Sequence, residues 1–165
     1  MYYPIAVITS IHGLRGFVKI KVNPIIEQSV RNLKIVFIEI FGEKRKFLVE
    51  DYLIDNELYG IKFKNFDSAN DSNYLIGSQI FIDDDVVNKD PELEIYFKAI
   101  GSQVYFGKKA VGTLTEILNI KDNNLLAVNT FDGDEILIPF NKNFIKDFDL
   151  HNQRLTIKNY KQLLN

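Results

Sequence analysis

Short segments that alternate apolar and polar residues constrain the fold of this chain more than any other feature. In FVKIKV, residues 17–22, the valines and the isoleucine share one face of a strand, and the phenylalanine and both lysines share the other. Many short strands separated by turns predict small antiparallel barrels or sandwiches. Further strands are predicted at residues 34–41, 46–54, 58–64, 79–83, 102–106, 110–118, 125–130, 135–139 and 154–158.

The first half of the chain contains a hairpin signal and a strand with two distinct faces. Gly42–Arg45 separates two of the predicted strands, which predicts a hairpin with its turn in those residues. In residues 58–64, the period of two predicts that Ile61 and Phe63 face inward and that Lys62 and Lys64 face outward.

One segment departs from the strand pattern. In FDSANDSNYLIG, Ser68 and Asp71 have the spacing of a capping box, Phe66 can act as a hydrophobic staple, and Gly77 suits a helix C-terminus. Residues 68–76 are therefore predicted to form one short helix.

An acidic segment, DDDVVNKDPELE, occupies residues 83–94 and carries six acidic residues and one lysine, a net charge of −5. Residues 1–82 carry +1 and residues 95–165 carry +2, so the acidity of the chain is concentrated in this segment. Its proline and few apolar residues predict a solvated, extended linker. The sequence thus predicts a mainly all-β chain with two small antiparallel β-barrels, residues 1–82 and 95–165, joined by a short acidic linker, and one short helix in the N-terminal domain.

Several functional classes are disfavoured by composition. The chain has no cysteine, which excludes disulfides, thiolate zinc sites and cysteine nucleophiles. His12 and His151 lie far apart in sequence without metal-ligand spacing. No nucleophile elbow, phosphate-binding loop or dinucleotide fingerprint is found, so we expect no catalytic residue, metal or cofactor. No segment reaches the roughly 18 apolar residues of a membrane span, and the expected location is the cytoplasm.

The HGLRG stretch, residues 12–16, has two interpretations. In the structural one, Gly13 and Gly16 adopt turn conformations that other residues avoid, and Leu14 plugs the end of a barrel. The GxxG pattern also resembles the clamp of KH domains, but that clamp joins two helices and here a strand follows.

In the second interpretation, the loop and the strand after it form a contact surface. Arg15, Phe17, Lys19 and Lys21 share one face, and this mixture of cations and an aromatic ring suits an RNA backbone or a mixed partner surface. An outward row of lysines is also common on solvated strands, so the residues alone leave both interpretations open.

Several short motifs occur in a specific order along the chain. AVITSIHGLRGFVKIKV is similar to the pattern G-x-I-x-x-x-H-G-L-x-G-x-V-K-V, with Ala6 in place of the glycine. The chain resembles the ribosome maturation factor RimM family, the 16S rRNA-processing proteins whose second domain is a PRC barrel. The later matching motifs are Tyr74-Leu75-Ile76-Gly77, Tyr96-Phe97, Ala99-Ile100-Gly101, VGTLTEIL at 111–118, Asp122-Asn123-Asn124, Leu137-Ile138-Pro139 and FDLHNQRLTI at 148–157.

The resemblance implies an assembly factor rather than an enzyme. It implies binding to the immature small (30S) ribosomal subunit at its head, through a head ribosomal protein of the S19 type and nearby 16S rRNA, and assistance in late 16S rRNA processing and subunit assembly. We expect a monomer. Two alternatives remain, a general RNA-binding β-barrel and a cofactor-binding barrel enzyme.

The resemblance and the residue patterns together give the candidate residues. Phe97 stands where the family pattern has tyrosine, Lys98 replaces an acid, and Asn124 replaces the turn acid. For Tyr96 and Phe97, core packing and partner contact are both open. The contact candidates are His12, Arg15, Lys19, Lys21, Tyr96 and Phe97, and the structural candidates are Gly13, Leu14, Gly16, Gly77, Gly101, Gly112 and Pro139.

Overall fold

Strands with one apolar face must pair to bury it, and the first six strands of this chain pair into a closed barrel. The computed structural model describes residues 1–164 and separates into two compact units, Met1–Asp90 and a second unit that begins at Pro91. The strands of the first unit are β1 (Tyr2–His12), β2 (Phe17–Val22), β3 (Ile35–Ile40), β4 (Glu43–Asp55), β5 (Glu57–Phe63) and β6 (Gln79–Asp83).

The barrel closes around an aliphatic core. Its strand order is β1-β2-β5-β4-β3-β6, and β6 pairs back to β1. Ile8, Val18, Ile38, Phe63 and Ile82, from five different strands, are completely buried. The fold class predicted from the alternation is confirmed for this unit.

The β3–β4 hairpin is tighter than predicted. Ile40 pairs with Glu43, so only Phe41 and Gly42 form the turn, and both have positive φ angles, 50° and 80°. Two-residue turns of this kind match the right-handed twist of the flanking strands. Glu43, Lys44 and Arg45, which we assigned to the turn, therefore belong to β4.

The predicted helix is present but shorter. Helices α1 (Glu27–Val30) and α2 (Ala69–Ser72) both belong to the first unit. Ser68 and Asp71 form the predicted capping box at α2, because the Ser68 hydroxyl accepts the Asp71 N–H and the Asp71 carboxylate accepts the Ser68 N–H. The chain then continues as a 3-10 turn over Asn73–Leu75, which places Leu75 fully in the core.

Lys62 was predicted to face outward into solvent, and this prediction is wrong. Lys62 is only 6% exposed. Its Nζ donates to Glu50 Oε2 at 2.7 Å, to Asp67 Oδ1 at 2.8 Å and to the Phe63 carbonyl at 3.0 Å. The register of β4 against β5 shifts between Val49 and Asp51, next to Glu50, so the strand irregularity and the following loop together cover this lysine.

The acidic segment is not the extended chain that we predicted. It forms α3 (Asp84–Val87) and the start of α4 (Pro91–Lys98). The Asp83 carboxylate accepts the Val86 N–H and caps α3. Val87 and Leu93 are fully buried, so the few apolar residues of this segment do anchor it.

The second unit is a six-stranded sheet with α4 at its N-terminal end. The strand order is β10-β9-β8-β7-β12-β11, so β10 and β11 are the edges of the sheet among the described residues. The pairs are antiparallel except β7 and β12, which are parallel, unlike the wholly antiparallel domain that we predicted. The strands are β7 (Gln103–Phe106), β8 (Lys109–Ile120), β9 (Asn123–Thr130), β10 (Glu135–Pro139), β11 (Ile145–Asp149) and β12 (Arg154–Ile157), followed by a 3-10 turn at Tyr160–Leu163.

Candidate functional site

The HGLRG loop connects β1 to β2 at one end of the barrel. His12 and Phe17 form the closing pair of the two strands, so residues 13–16 make up the turn. Gly13 and Gly16 have φ angles of 66° and 91°, a conformation that favours glycine.

Gly16 is held against a distant segment of the first unit. A Cβ atom at this position would lie 1.8 Å from the carbonyl oxygen of Phe66, closer than any real contact allows. The Ser72 hydroxyl, fully buried, donates to the Gly16 carbonyl at 2.8 Å. This is the geometry that a structural role for Gly16 requires, whereas a Cβ on Gly13 would meet nothing within 4 Å.

Leu14 does not plug the barrel. The structure leaves it 84% exposed at the tip of the turn, so our structural interpretation of this residue is wrong. The barrel is filled instead by side chains of its own strands, such as Ile8 and Val18. Leu14 is therefore an exposed apolar side chain at the tip of a loop whose base is held by Gly16.

The structure brings part of the predicted contact set together. Leu14, His12, Arg15 and Phe17 line a shallow depression of about 230 Å³, together with Gly13 and Leu53. His12 is half-buried, and its ring lies edge-on to that of Tyr59 at 5.8 Å, so it also packs against a side chain of β5.

The cationic side chains of this surface have no carboxylate partner among residues 1–164. Arg15, Lys19 and Lys21 are exposed, and no ion pair within residues 1–164 involves any of them. Lys19 and Lys21 follow Arg15 along β2, beyond the lining of the depression. We call Leu14, Arg15, Lys19 and Lys21 the β2 surface; it offers positive charge beside an exposed apolar side chain.

Tyr96 and Phe97 belong to the second unit, on α4, and do not share a unit with the β2 surface. Their rings form an edge-to-face pair with centroids 4.8 Å apart. Both side chains are half-buried, and burial raises the pKa of the Tyr96 phenol above its ordinary value. Each ring therefore packs against the other and is in part exposed to solvent.

The remaining structural candidates close turns or strands. The Gly77 N–H donates to the Ile8 carbonyl at 2.8 Å, and the Gly101 N–H donates to the Leu114 carbonyl at 2.8 Å. A Cβ on Gly112 would lie 2.2 Å from the Asn129 carbonyl oxygen, so β8 and β9 approach too closely for any side chain there. Pro139 ends β10, where it pairs with Leu125 of β9.

Residues 1–164 contain no group of three histidine, aspartate or glutamate side chains placed to hold a metal ion. None of the helices in the same range is long and apolar enough to cross a membrane. The sequence interpretation missed two features of the first unit, the buried cluster around Lys62 and a second cationic surface on β4 described below.

Comparison with known proteins gives concordant results over both units. Residues 3–87 match the family model of the RimM N-terminal domain, and residues 96–162 match that of the RimM PRC barrel domain. A ribosome maturation factor RimM of Thermosipho melanesiensis is 30% identical over 94% of this chain and 89% of its own length. The corresponding protein of Caldanaerobacter subterraneus is 31% identical over 95% of each chain.

A solved structure shares the fold. The crystal structure of a Pseudomonas aeruginosa protein described as RimM superimposes with a TM-score of 0.51 at 18% identity, covering 95% of this chain and 96% of the other. Both units of the chain therefore have counterparts in one protein, in the same order.

Proposed function

Because the chain belongs to the RimM family of ribosome maturation factors, we propose that it binds the immature small (30S) ribosomal subunit at its head. The contacts would be a head ribosomal protein of the S19 type and nearby 16S rRNA, and binding would assist late 16S rRNA processing and subunit assembly. The protein would act in the cytoplasm as a monomer, without catalysis or a cofactor.

The β2 surface is the observation that supports this proposal most directly. Leu14 is 84% exposed on a loop whose base is locked by the contact between Gly16 and the Phe66 backbone. Arg15 next to it, and Lys19 and Lys21 further along β2, have no acidic partner within residues 1–164. A rigid loop loses little conformational entropy on binding, and free cations suit phosphate or an acidic protein patch.

The charge of the whole chain fits a mixed protein and RNA site. The net charge is −2, so bulk electrostatic attraction cannot hold this protein on RNA. Specific binding would instead combine apolar contacts with a few phosphate contacts and would show a modest dependence on salt.

Co-sedimentation in sucrose gradients tests the proposal. The full-length protein is mixed with free small subunits, assembled ribosomes or naked 16S rRNA, at low and at moderate salt. We expect selective travel with free small subunits. Binding to naked RNA alone, with a steep salt dependence, would contradict the proposal and favour a general RNA-binding barrel.

Charge reversal on the β2 surface is expected to weaken subunit binding without unfolding the protein. Arg15→Glu combined with Lys19→Glu should lower the affinity for free small subunits by about tenfold, because two favourable contacts become repulsive. The free energy of unfolding, measured by thermal denaturation, should stay within about 0.5 kcal/mol of the wild-type value, since both side chains are exposed. Lys34→Glu combined with Lys89→Glu, exposed lysines of the same unit, is the charge-matched control.

Truncation of the aromatic pair on α4 tests the contact of the second unit. Tyr96→Ala combined with Phe97→Ala should lower subunit affinity about tenfold and cost the second unit about 2 kcal/mol, because both rings are half-buried. Tyr96→Phe, which keeps the ring, should retain most of the binding. A loss of stability with unchanged affinity for folded protein would assign the pair to packing alone.

A further inference from the structure

The first unit carries a second cationic surface, where β4 extends past the end of β5. Val49 pairs with Phe63, the last residue of β5, and the Lys64 N–H donates to the Leu48 carbonyl at 2.9 Å, so residues 43–47 of β4 pair only with β3 among the described strands. A groove of about 380 Å³ lies at this edge. Its lining, which we call the β4 groove, includes Arg45, Lys46, Lys64, Phe66 and Tyr74, with Ile40, Phe47, Leu48 and Asn65.

The β4 groove is positively charged and has no acidic residue in its lining. Lys46 and Lys64 are exposed and take part in no ion pair within residues 1–164. Arg45 has one partner, Glu43, at 3.7 Å, but both side chains are more than half exposed, and such pairs contribute little. Three cations at one groove therefore remain available to an anionic partner.

Aromatic rings supply the second feature of the β4 groove. Tyr74 is 58% exposed, and its ring centroid lies 6.2 Å from that of Phe66. Phe66 in turn lies 5.4 Å from Phe47. The Tyr74 ring is thus supported from within the unit and offers a large part of its surface to solvent, as base-stacking platforms do.

The turn next to the groove exposes a further ring under strain. Phe41 is 97% exposed and has a φ angle of 50°, in a region that costs a non-glycine residue about 1–2 kcal/mol. The two-residue turn that joins β3 to β4 requires this conformation, and it leaves the ring in solvent one residue beyond Ile40, which lines the groove.

We propose that the β4 groove binds single-stranded RNA, with Arg45, Lys46 and Lys64 on phosphates and Tyr74 stacked on a base. Cations interleaved with exposed rings are the combination that single-stranded nucleic acid requires, because every nucleotide presents both a negative charge and a flat base. An acidic protein segment would use the cations and leave the rings without a partner. The inference rests on the proposed function in one respect: the natural ligand would be rRNA of the small subunit.

The groove adjoins the β2 surface through one segment of chain. Gly16 lies against the Phe66 backbone, and the Phe66 side chain lines the β4 groove. RNA held in the groove would therefore bind the same unit that carries Leu14 and Arg15.

Fluorescence anisotropy with a labelled short oligouridine tests the proposal on the full-length protein. Lys46→Glu combined with Lys64→Glu should lower the affinity at least about tenfold and reduce the salt slope by about 1.4, for two lost single-strand phosphate contacts. Tyr74→Ala should lower the affinity for oligouridine about fivefold or more. Tyr74→Phe should keep the wild-type affinity, because the stacking ring is retained.

Controls separate the groove from general charge. Lys108→Glu combined with Lys158→Glu changes the net charge equally at exposed positions of the second unit and should leave oligouridine binding unchanged. Poly-glutamate should compete poorly. Equal losses in the control pair, an unchanged salt slope in the groove pair, or full competition by poly-glutamate would each overturn the assignment.

The same variants distinguish this proposal from the proposed function. Wild-type protein that travels with free small subunits but does not bind oligouridine would refute the groove and leave the function standing. Oligouridine binding that is lost in the groove variants, without any subunit binding, would support the groove and refute the subunit as its target.

Discussion

Replacing Gly16 with alanine is expected to cost the first unit about 3 kcal/mol or more of its free energy of unfolding, by far the largest effect of any single methyl group in the loop. The new Cβ would lie 1.8 Å from the Phe66 carbonyl oxygen, so the turn must move away from that segment. Such a movement also breaks the buried bond from the Ser72 hydroxyl to the Gly16 carbonyl. The positive φ angle of 91° adds backbone strain.

Gly13 provides the matched control. Its φ angle of 66° imposes a similar backbone penalty, but a Cβ there meets no atom within 4 Å. Gly13→Ala should therefore cost only about 1 kcal/mol. The full-length protein is unfolded with urea, and the backbone amide resonances of each unit are monitored. This gives a separate free energy of unfolding for each unit. Equal losses in the two variants would show that the contact with Phe66 contributes nothing.

The Gly16 substitution also has a functional consequence. The turn that carries Leu14 and Arg15 is positioned by Gly16, so Gly16→Ala should weaken subunit binding even under conditions where the unit remains folded. Gly13→Ala should bind like wild type. This pair of variants links the structural and contact interpretations of the HGLRG stretch, because the same loop serves both roles.

Removing both acidic partners of Lys62 is expected to have the second large effect on the free energy of unfolding of the first unit. Glu50→Gln combined with Asp67→Asn leaves a buried ammonium group with neutral acceptors, and we expect a loss of about 2–3 kcal/mol from the first unit. This lies below the usual cost of breaking a buried ion pair, because Glu50 and Asp67 are themselves exposed. Lys62→Met, which removes the buried charge and fills the space, should be close to neutral.

The pH dependence of stability gives an independent measurement of the same cluster. Burial by itself would lower the pKa of Lys62, but hydrogen bonds and charge from Asp67 and Glu50 outweigh it and raise the pKa above 10.5. A folded pKa above the unfolded one stabilises the protein fully below about pH 10.5, and this contribution is lost as pH rises through the folded pKa.

The comparison is therefore made between wild type and Lys62→Met in alkaline solution. We expect the free energy of unfolding of wild type to fall more steeply above pH 10.5 than that of the variant. Taking the difference between the two curves removes the contribution of Tyr52, whose pKa is also raised by burial. Parallel curves would contradict a stabilising role for the Lys62 cluster.

Local pattern identified most of the regular elements. The predicted strand at 17–22 coincides with β2, the one at 135–139 with β10, and the capping box at Ser68 starts α2 as predicted. Strand β1 was missed because its register shifts twice, between Pro4 and Ala6 and between Ile8 and Ser10, which interrupts the period of two. β11 was missed as well, since its short run KDFD lacks alternation.

The failures share one cause, which is burial decided by residues far away in sequence. Leu14 was expected to be buried because it is apolar. Side chains of the strands, such as Ile8 and Val18, fill the barrel instead, and Leu14 is 84% exposed. The acidic segment was expected to be extended, but Val87 and Leu93 are fully buried, each on a short helix. In the β4 groove, Lys46, Lys64 and Tyr74 come from three separate segments, and no motif links them.

The sequence by itself determined most of the strands, the capped helix, the family of the two units and the glycines of the turns. These depend on alternation, capping spacing and backbone conformation, all of which act between residues close together in the chain. Only the tertiary structure decided that Lys62 is buried, that Leu14 is exposed and that one edge of β4 forms a cationic groove. Burial depends on which distant segments pack over a side chain, and the period of a strand carries no information about that packing.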